Sequence, residues 1–299
     1  MPLLSVHQAS SVPLATLVRQ DSENLVSNFK ANITRVRHVD IGVIYSPFNN
    51  EDMVIQAMGI NTARVLNGKQ PLPIICSMLN REVLKSAIYE FKDKELQGRL
   101  KDGASYEEKI SPYIKSLGVK IVHDAFPLET KRLGEYQSIN RLEVVDPKSI
   151  SNMSLENIYV IGHGEAGRPH LYETVRCDSV GKSIADVIGE INSLLRQKVK
   201  FGVKIKMTVC ESADRETLVS FDKQDNIVQR RRGSEPLAKS AKTEAAKLFP
   251  EARVFGYHGL GISRGSNYIS NARCLDADFD KKTGDVSQWI KASSVRKEF

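Results

Sequence analysis

Asn157-Ile158-Tyr159-Val160-Ile161-Gly162-His163-Gly164 is a short apolar run that stops on an imidazole framed by two glycines. A run of this length bounded by turn residues reads as a buried strand. A second run, Val203–Val209 (V-K-I-K-M-T-V), stops on Cys210-Glu211-Ser212. The stretch between them reads as one helix near Ser183–Gln197, so the two strands are expected to be parallel neighbours. An imidazole and a thiol, 47 positions apart, are thereby expected at adjacent carboxyl ends of one sheet. A thiol becomes a nucleophile in that setting, because a nearby imidazole raises its thiolate fraction and later returns the proton.

Working outward, the same rhythm continues. Val39–Tyr45 (V-D-I-G-V-I-Y) ends at Ser46-Pro47 and reads as a strand, with a helix opening at Asn50 or Glu51 and running to about Leu66. Pro71–Leu79 is a second apolar run, weakened as a strand by its prolines. Helices are expected over Arg81–Leu100 and Tyr106–Leu117, and a third strand over Gly118–Val122. Residues from Pro127 to Leu155 read as an irregular linker, hairpin or lid. A helix near Leu237–Phe249 and a strand at Arg253–Tyr257 complete the pattern. Strand–helix alternation implies an α/β fold, a mostly parallel sheet with helices on both faces as a three-layer sandwich. In such sheets ligands bind beyond the carboxyl ends of the strands. Residues 1–35 are mixed and polar and are expected to form an extension to a single domain over 36–299.

Composition sets the class. The chain has 299 residues, 41% of them apolar, with 43 Lys+Arg against 36 Asp+Glu and a net charge of +7. That mild basic bias suits acidic partners without defining one. No run reaches the ~18 apolar residues of a membrane span, and the start lacks the basic and apolar segments of a Sec signal. The location expected is the cytoplasm, or a host cell reached by a signal-less route. Cys76, Cys177, Cys210 and Cys274 are widely spaced, with no C-x-x-C and no zinc spacing, as suits a reducing compartment. No metal or cofactor is called for. Aromatics make up 7% of the chain and do not interleave with basic residues, so nucleic acid is not expected as a partner.

Each chemical reading has a bland rival. A His at a strand end is more often a hydrogen-bonded structural residue, and a Cys a small apolar filler. Gly162, Gly164 and Gly167 also spell G-x-G-x-x-G after a strand, the phosphate-binding pattern of dinucleotide folds. Against that, Arg168-Pro169-His170-Leu171-Tyr172 does not open a helix, and no acidic strand end follows at the required distance. Glu165 and Glu211 are either turn residues or substrate contacts. The cluster Gln229-Arg230-Arg231-Arg232-Gly233 is a solvated loop, a processing site or an anion site. Lys204 and Lys206 fall on one face of their strand, either as part of such an anion site or on a face open at a sheet edge.

The two motifs resemble those of the caspase-like cysteine peptidases, a clan that includes caspases, gingipains, clostripain, legumain and separase. V-I-G-H-G at 160–164 is similar to the self-processing protease domains of large bacterial toxins. T-V-C-E-S-A at 208–213 is similar to the A-C-E-S/T phrase of CHAT domains. The resemblance covers about 100 residues, from Asn157 to about Ser263, and departs from many members in having Val209 before the Cys. It implies a caspase/hemoglobinase-like fold and a cysteine endopeptidase with His163 and Cys210 as a catalytic dyad. The backbone amides of Gly164 and Cys210 would hold the oxyanion, and the group orienting the His is left unassigned. Tyr257 and His258, in the turn Gly256–Gly261, would line the substrate pocket, His258 being a less favoured base than His163. The substrate would be a protein. Toxin-type relatives are switched on by inositol hexakisphosphate, so an inositol phosphate activator is a further expectation. A polar leader on a compact basic peptidase also resembles bacterial effectors that act in a host cell. Two other readings stay open: a catalytically silent caspase-like binding scaffold, and a nucleotide-binding α/β protein.

Overall fold

The computed structural model describes residues 41–175, 177, 181–223, 235–262, 272–280, 283 and 285–299. The expected extension over 1–35 and the basic cluster at 229–233 lie outside the described residues. Six strands form the main sheet: β1 (Gly42–Tyr45), β2 (Ile74–Ile75), β3 (Leu155–Val160), β6 (Val199–Met207), β7 (Arg253–Tyr257) and β11 (Arg296–Glu298). Their order is β11-β7-β6-β3-β1-β2, with β11 antiparallel to β7 and every other pairing parallel. β3 and β6 are therefore adjacent parallel strands, in register from Asn157↔Lys204 to Val160↔Met207.

The helices are α1 (Glu51–Leu66), α2 (Met78–Gln97), α3 (Gly103–Leu117), α4 (Val119–Ala125), α5 (Pro127–Asn140), α6 (Ile184–Leu195) and α7 (Leu237–Leu248). From β1 the chain moves outward to β2 in one direction, and from β3 through β6 to β7 in the other. Right-handed crossovers then set α1 on the opposite face from α6 and α7, the arrangement of a three-layer sandwich. The buried stripe of α6 (Ile184, Val187, Ile188, Ile191, Leu195) closes its side of the core over Ile158, Val160, Ile205 and Met207. On the same side the Tyr45 hydroxyl reaches Glu190 of α6. Two small sheets flank the main one: β4 (His170–Tyr172) with β5 (Gly181–Ser183), and β8 (Leu260–Ile262) with β9 (Ala272–Cys274) and β10 (Ile290–Lys291). No described helix is long and apolar enough to cross a membrane.

Three local expectations are corrected. Gly118–Val122 is not a strand: Gly118, at φ +87°, ends α3, and Val119–Ala125 is helical. Val122 packs with Ile110 and Leu133 there, a contact that depends on a neighbouring helix and not on strand alternation. The stretch from Pro127 is irregular only beyond Asn140; Pro127–Asn140 is helix α5, with Pro127 in its first turn where the missing N–H costs nothing. Apart from Leu133 and Ile139 its buried residues are small or polar (Thr130, Gly134, Glu135, Ser138), which hides the helical period. A Cβ on Gly134 would meet Leu66 Cδ1 at 2.6 Å, and Ser138 Oγ donates to the Met58 carbonyl at 3.0 Å. Within Pro71–Leu79 only Ile74 and Ile75 are strand, and α2 already begins at Met78.

Lys204 and Lys206 do not lie at a sheet edge, because β6 is flanked by β3 and β7. Lys206 Nζ sits 4.3 Å above the Tyr159 ring and donates to its hydroxyl at 2.9 Å. A cross-strand aromatic thus shields the ammonium on a half-buried surface.

Candidate active site

The chain reverses its direction of travel across the sheet between β3 and β1, and such a switch point opens a crevice at the carboxyl ends of the strands. A cavity of about 500 Å³ lies there. Its walls come from the first turns of α1 (Asp52, Gln56), the end of β3 (Gly162, His163), the end of β6 (Thr208, Cys210) and the β8–β9 hairpin (Gly261, Arg273). His163 and Cys210 line the same cavity.

β3 ends at Val160, and Gly162, at φ +143°, turns the chain into a conformation that side chains rarely adopt. His163 is then pinned by its own backbone: its N–H donates to the Tyr172 carbonyl at 3.0 Å, and the Tyr172 N–H returns a bond at 2.9 Å. Its ring is 15% exposed, with Nε2 3.2 Å from Asp52 Oδ2. Gln56 Oε1 accepts the Gly162 N–H at 3.0 Å, which fixes the amide so that its nitrogen lies 3.4 Å from the same Nε2. Asp52, the better placed partner, is the acceptor for an Nε2–H. The hydrogen bond from His163 holds the Asp52 carboxyl below its ordinary range, against the opposing effect of partial burial. Asp52 sits in the first turn of α1, capped by the Asn50 side chain on the Met53 N–H. Its carboxylate is placed to orient the His163 ring.

The thiol arrives by a different device. β6 ends at Met207, and Thr208 ties the chain to β3 through two bonds to the Val160 carbonyl, from its N–H at 3.0 Å and its hydroxyl at 2.7 Å. Glu211 then takes φ +50°. The fully buried Ser212 clamps the turn: its hydroxyl donates to the Met207 carbonyl at 2.7 Å and accepts the Tyr257 N–H at 2.9 Å. Glu211 is also buried; its carboxylate accepts the Ala166 N–H at 3.2 Å, and burial pushes its carboxyl up. That bond joins the loop after His163 to the loop of Cys210. The two backbones touch at Gly164, where a Cβ would come 2.7 Å from the Cys210 carbonyl oxygen. Glycine is required there by contact.

Burial pushes the Cys210 thiol up. Arg273 and the Gly261 N–H, which donates to Sγ at 3.2 Å, pull the other way. Cys76 and Cys177 are pushed up to about 11, and Cys274 to about 12, all chiefly by burial.

Tyr257 and His258, expected to line the pocket, lie beneath it. They are 8% and 4% exposed. Tyr257 stacks under the Arg273 guanidinium, 4.8 Å from its centre. His258 Nδ1 meets Asp214 Oδ1, and Asp214 Oδ2 accepts the Gly259 N–H at 2.9 Å. The chain after β7 turns sharply into β8, so Gly261 and Ile262 form the wall instead. Glu165 forms a surface ion pair with Arg168 at 3.0 Å. The glycine pattern at 162–167 leads into strand β4 and presents no helix amino terminus to a phosphate.

Sequence reasoning passed over Asp52, Gln56 and Arg273. Asp52 and Gln56 carried a signal, being one helical turn apart at the start of a helix that follows a strand. Arg273 carried only a faint one, a charge inside the short run Ala272-Arg273-Cys274. Comparison with protein-family models, with curated proteins and with solved structures finds no match to this chain.

Proposed function

We propose that the protein is a cysteine peptidase of caspase-like architecture acting on a protein substrate. The observation that carries this reading is a thiol and an Asp-anchored imidazole lining one cavity at the switch point of a parallel sheet. With Nε2 turned to Asp52, Nδ1 of His163 is the nitrogen that serves the thiol. Cys210 Sγ attacks the peptide carbonyl carbon while its proton passes to His163. The Gly164 and Cys210 amides hold the oxyanion. The C–N bond then breaks, the leaving amine takes the proton from His163, and a thioester remains on Cys210. Water, deprotonated by His163, releases the acid product. Asp52 keeps the ring oriented and balances its charge, as the carboxylate does in other nucleophile–His–acid arrangements.

The deciding experiment maps new amino termini in a protein extract incubated with wild type, Cys210→Ala and His163→Ala. Cleavages made by wild type and lost in both variants are the expected result. Identical cleavage by either folded variant would overturn the assignment.

A second reading, a silent scaffold of the same fold, is favoured by one observation. Cys210 is set in a buried turn, and that burial pushes its thiol up, which disfavours the thiolate that attack requires. It predicts that acyloxymethyl ketone probes leave Cys210 unlabelled at neutral pH, whereas the peptidase reading predicts labelling that requires His163.

A further inference from the structure

Arg273 is 3% exposed, yet it lines the cavity beside Cys210. Among the described residues its guanidinium donates to neutral carbonyls: Nη2 to Thr208 at 2.8 Å, and Nη1 to Val209 at 3.0 Å and Gly259 at 3.3 Å. Two of those carbonyls belong to the residues leading into Cys210, and the third also accepts the Glu211 N–H at 2.9 Å. The fork therefore grips the nucleophile turn on both sides. Its Nε, also buried, has no acceptor among the described residues. No carboxylate lies within salt-bridge distance of it among the described residues. The Gly261 peptide connects cation and thiol: its N–H points at Sγ at 3.2 Å, and a Cβ on Gly261 would lie 3.1 Å from Arg273 Nη1.

A buried guanidinium whose described hydrogen-bond acceptors are all neutral is costly unless an anion shares its site; the buried Asp214 carboxylate favours its charge from beyond contact distance. The side chain in this cavity that becomes an anion during the proposed reaction is Cys210. We propose that Arg273 is the fixed cation that stabilises the Cys210 thiolate. When the S–H bond breaks and the proton moves to His163, the charge left on Sγ meets the Gly261 N–H and the field of Arg273. In the free protein the same proton goes to solvent, and Arg273 sets how readily it leaves. The opposing influences on the thiol fit this role, since Arg273 is the largest of those that favour its ionised form. The inference rests on Cys210 being the reactive thiol of the proposed peptidase.

The test is the pH profile of Cys210 alkylation by iodoacetamide in the full chain, followed by peptide mass spectrometry from pH 6 to 10. Wild type is compared with Arg273→Gln, which keeps amide donors but loses the charge, and with Arg273→Lys, which keeps the charge but loses the fork. Circular dichroism confirms folding. Arg273→Gln should alkylate about tenfold or more slowly at pH 8, with its profile displaced to higher pH, the size expected of a lost neighbouring charge. Arg273→Lys should stay within about threefold of wild type while melting at a lower temperature, because a point charge cannot span three carbonyls. An unchanged profile in Arg273→Gln, or equal displacement in both variants, would overturn the proposal. If Arg273→Gln does not fold, Arg273→Lys decides alone: a displaced profile in the folded protein overturns it. Alkylation needs no substrate, so the two claims fail separately. A displaced profile in a protein that cleaves nothing removes the peptidase and leaves the thiolate site.

Discussion

Asp52 and His163, 111 positions apart in sequence, meet with Oδ2 and Nε2 at 3.2 Å. The first turn of a helix after the first strand thus fixes the ring at the end of the third. Asp52→Asn retains shape but loses the charge that favours an Nε2–H. Turnover on a cleaved substrate should fall about 10- to 100-fold, as for other partners that orient a functional His, and the melting temperature at neutral pH should fall by the stabilisation the ion pair supplies. Unchanged turnover would remove Asp52 from the site.

The same pair has a pH signature. Because the hydrogen bond to His163 lowers the folded-state Asp52 value, its stabilisation is present above the ordinary carboxyl value of 3.8 and is lost as pH falls through the lowered one. The stability difference between wild type and Asp52→Asn should therefore shrink between pH 5 and pH 2, by chemical denaturation. A constant difference would contradict the contact.

Gly164 has no room for a side chain: a Cβ would lie 2.7 Å from the Cys210 carbonyl oxygen and 3.0 Å from Val209 Cγ2. Gly164→Ala should cost about 1–3 kcal/mol of stability and abolish probe labelling of Cys210, because the turn carrying the thiol is pushed away. Gly189, whose added Cβ meets nothing within 4 Å, is the control; Gly189→Ala should preserve labelling. Full labelling of Gly164→Ala would show that the contact is not needed.

Glu211 behaves in the opposite sense to Asp52. Burial raises its folded-state value above the ordinary 4.5, so the native state binds the proton more tightly than the unfolded chain. Its ionisation removes stability as pH rises from that ordinary value toward the raised one. Glu211→Gln keeps an acceptor for the Ala166 N–H and does not ionise. Its stability relative to wild type should increase from pH 4 to pH 7 in urea titrations. A relative gain by wild type over that interval would reverse the sign and refute the burial argument.

Much of the sheet was legible because its strands are buried on both faces or end at clear turns: β3 and β6 declare themselves as apolar runs stopped by Gly162 and Cys210. α5 was hidden because its buried residues are mostly small or polar (Thr130, Gly134, Glu135, Ser138), with only Leu133 and Ile139 among them, which leaves no continuous apolar stripe. α4 was misread because Val119, Ile121 and Val122 suit either period, and only the packing of Val122 beside Ile110 decides. At the site, His163 and Cys210 were visible from local glycine and strand patterns. Their partners were not, since Asp52 and Arg273 reach them across 111 and more than 60 positions.

The bond from Arg273 to the Val209 carbonyl joins residues 64 positions apart. A ribosome therefore exposes the sulfur well before the guanidinium that steadies its turn has left the exit tunnel. During synthesis the thiol is present without its finished surroundings, and a chain cut short anywhere before Ala272 never acquires them. Loss of the β8–β9 hairpin would leave the sulfur in place without the cation that grips its turn.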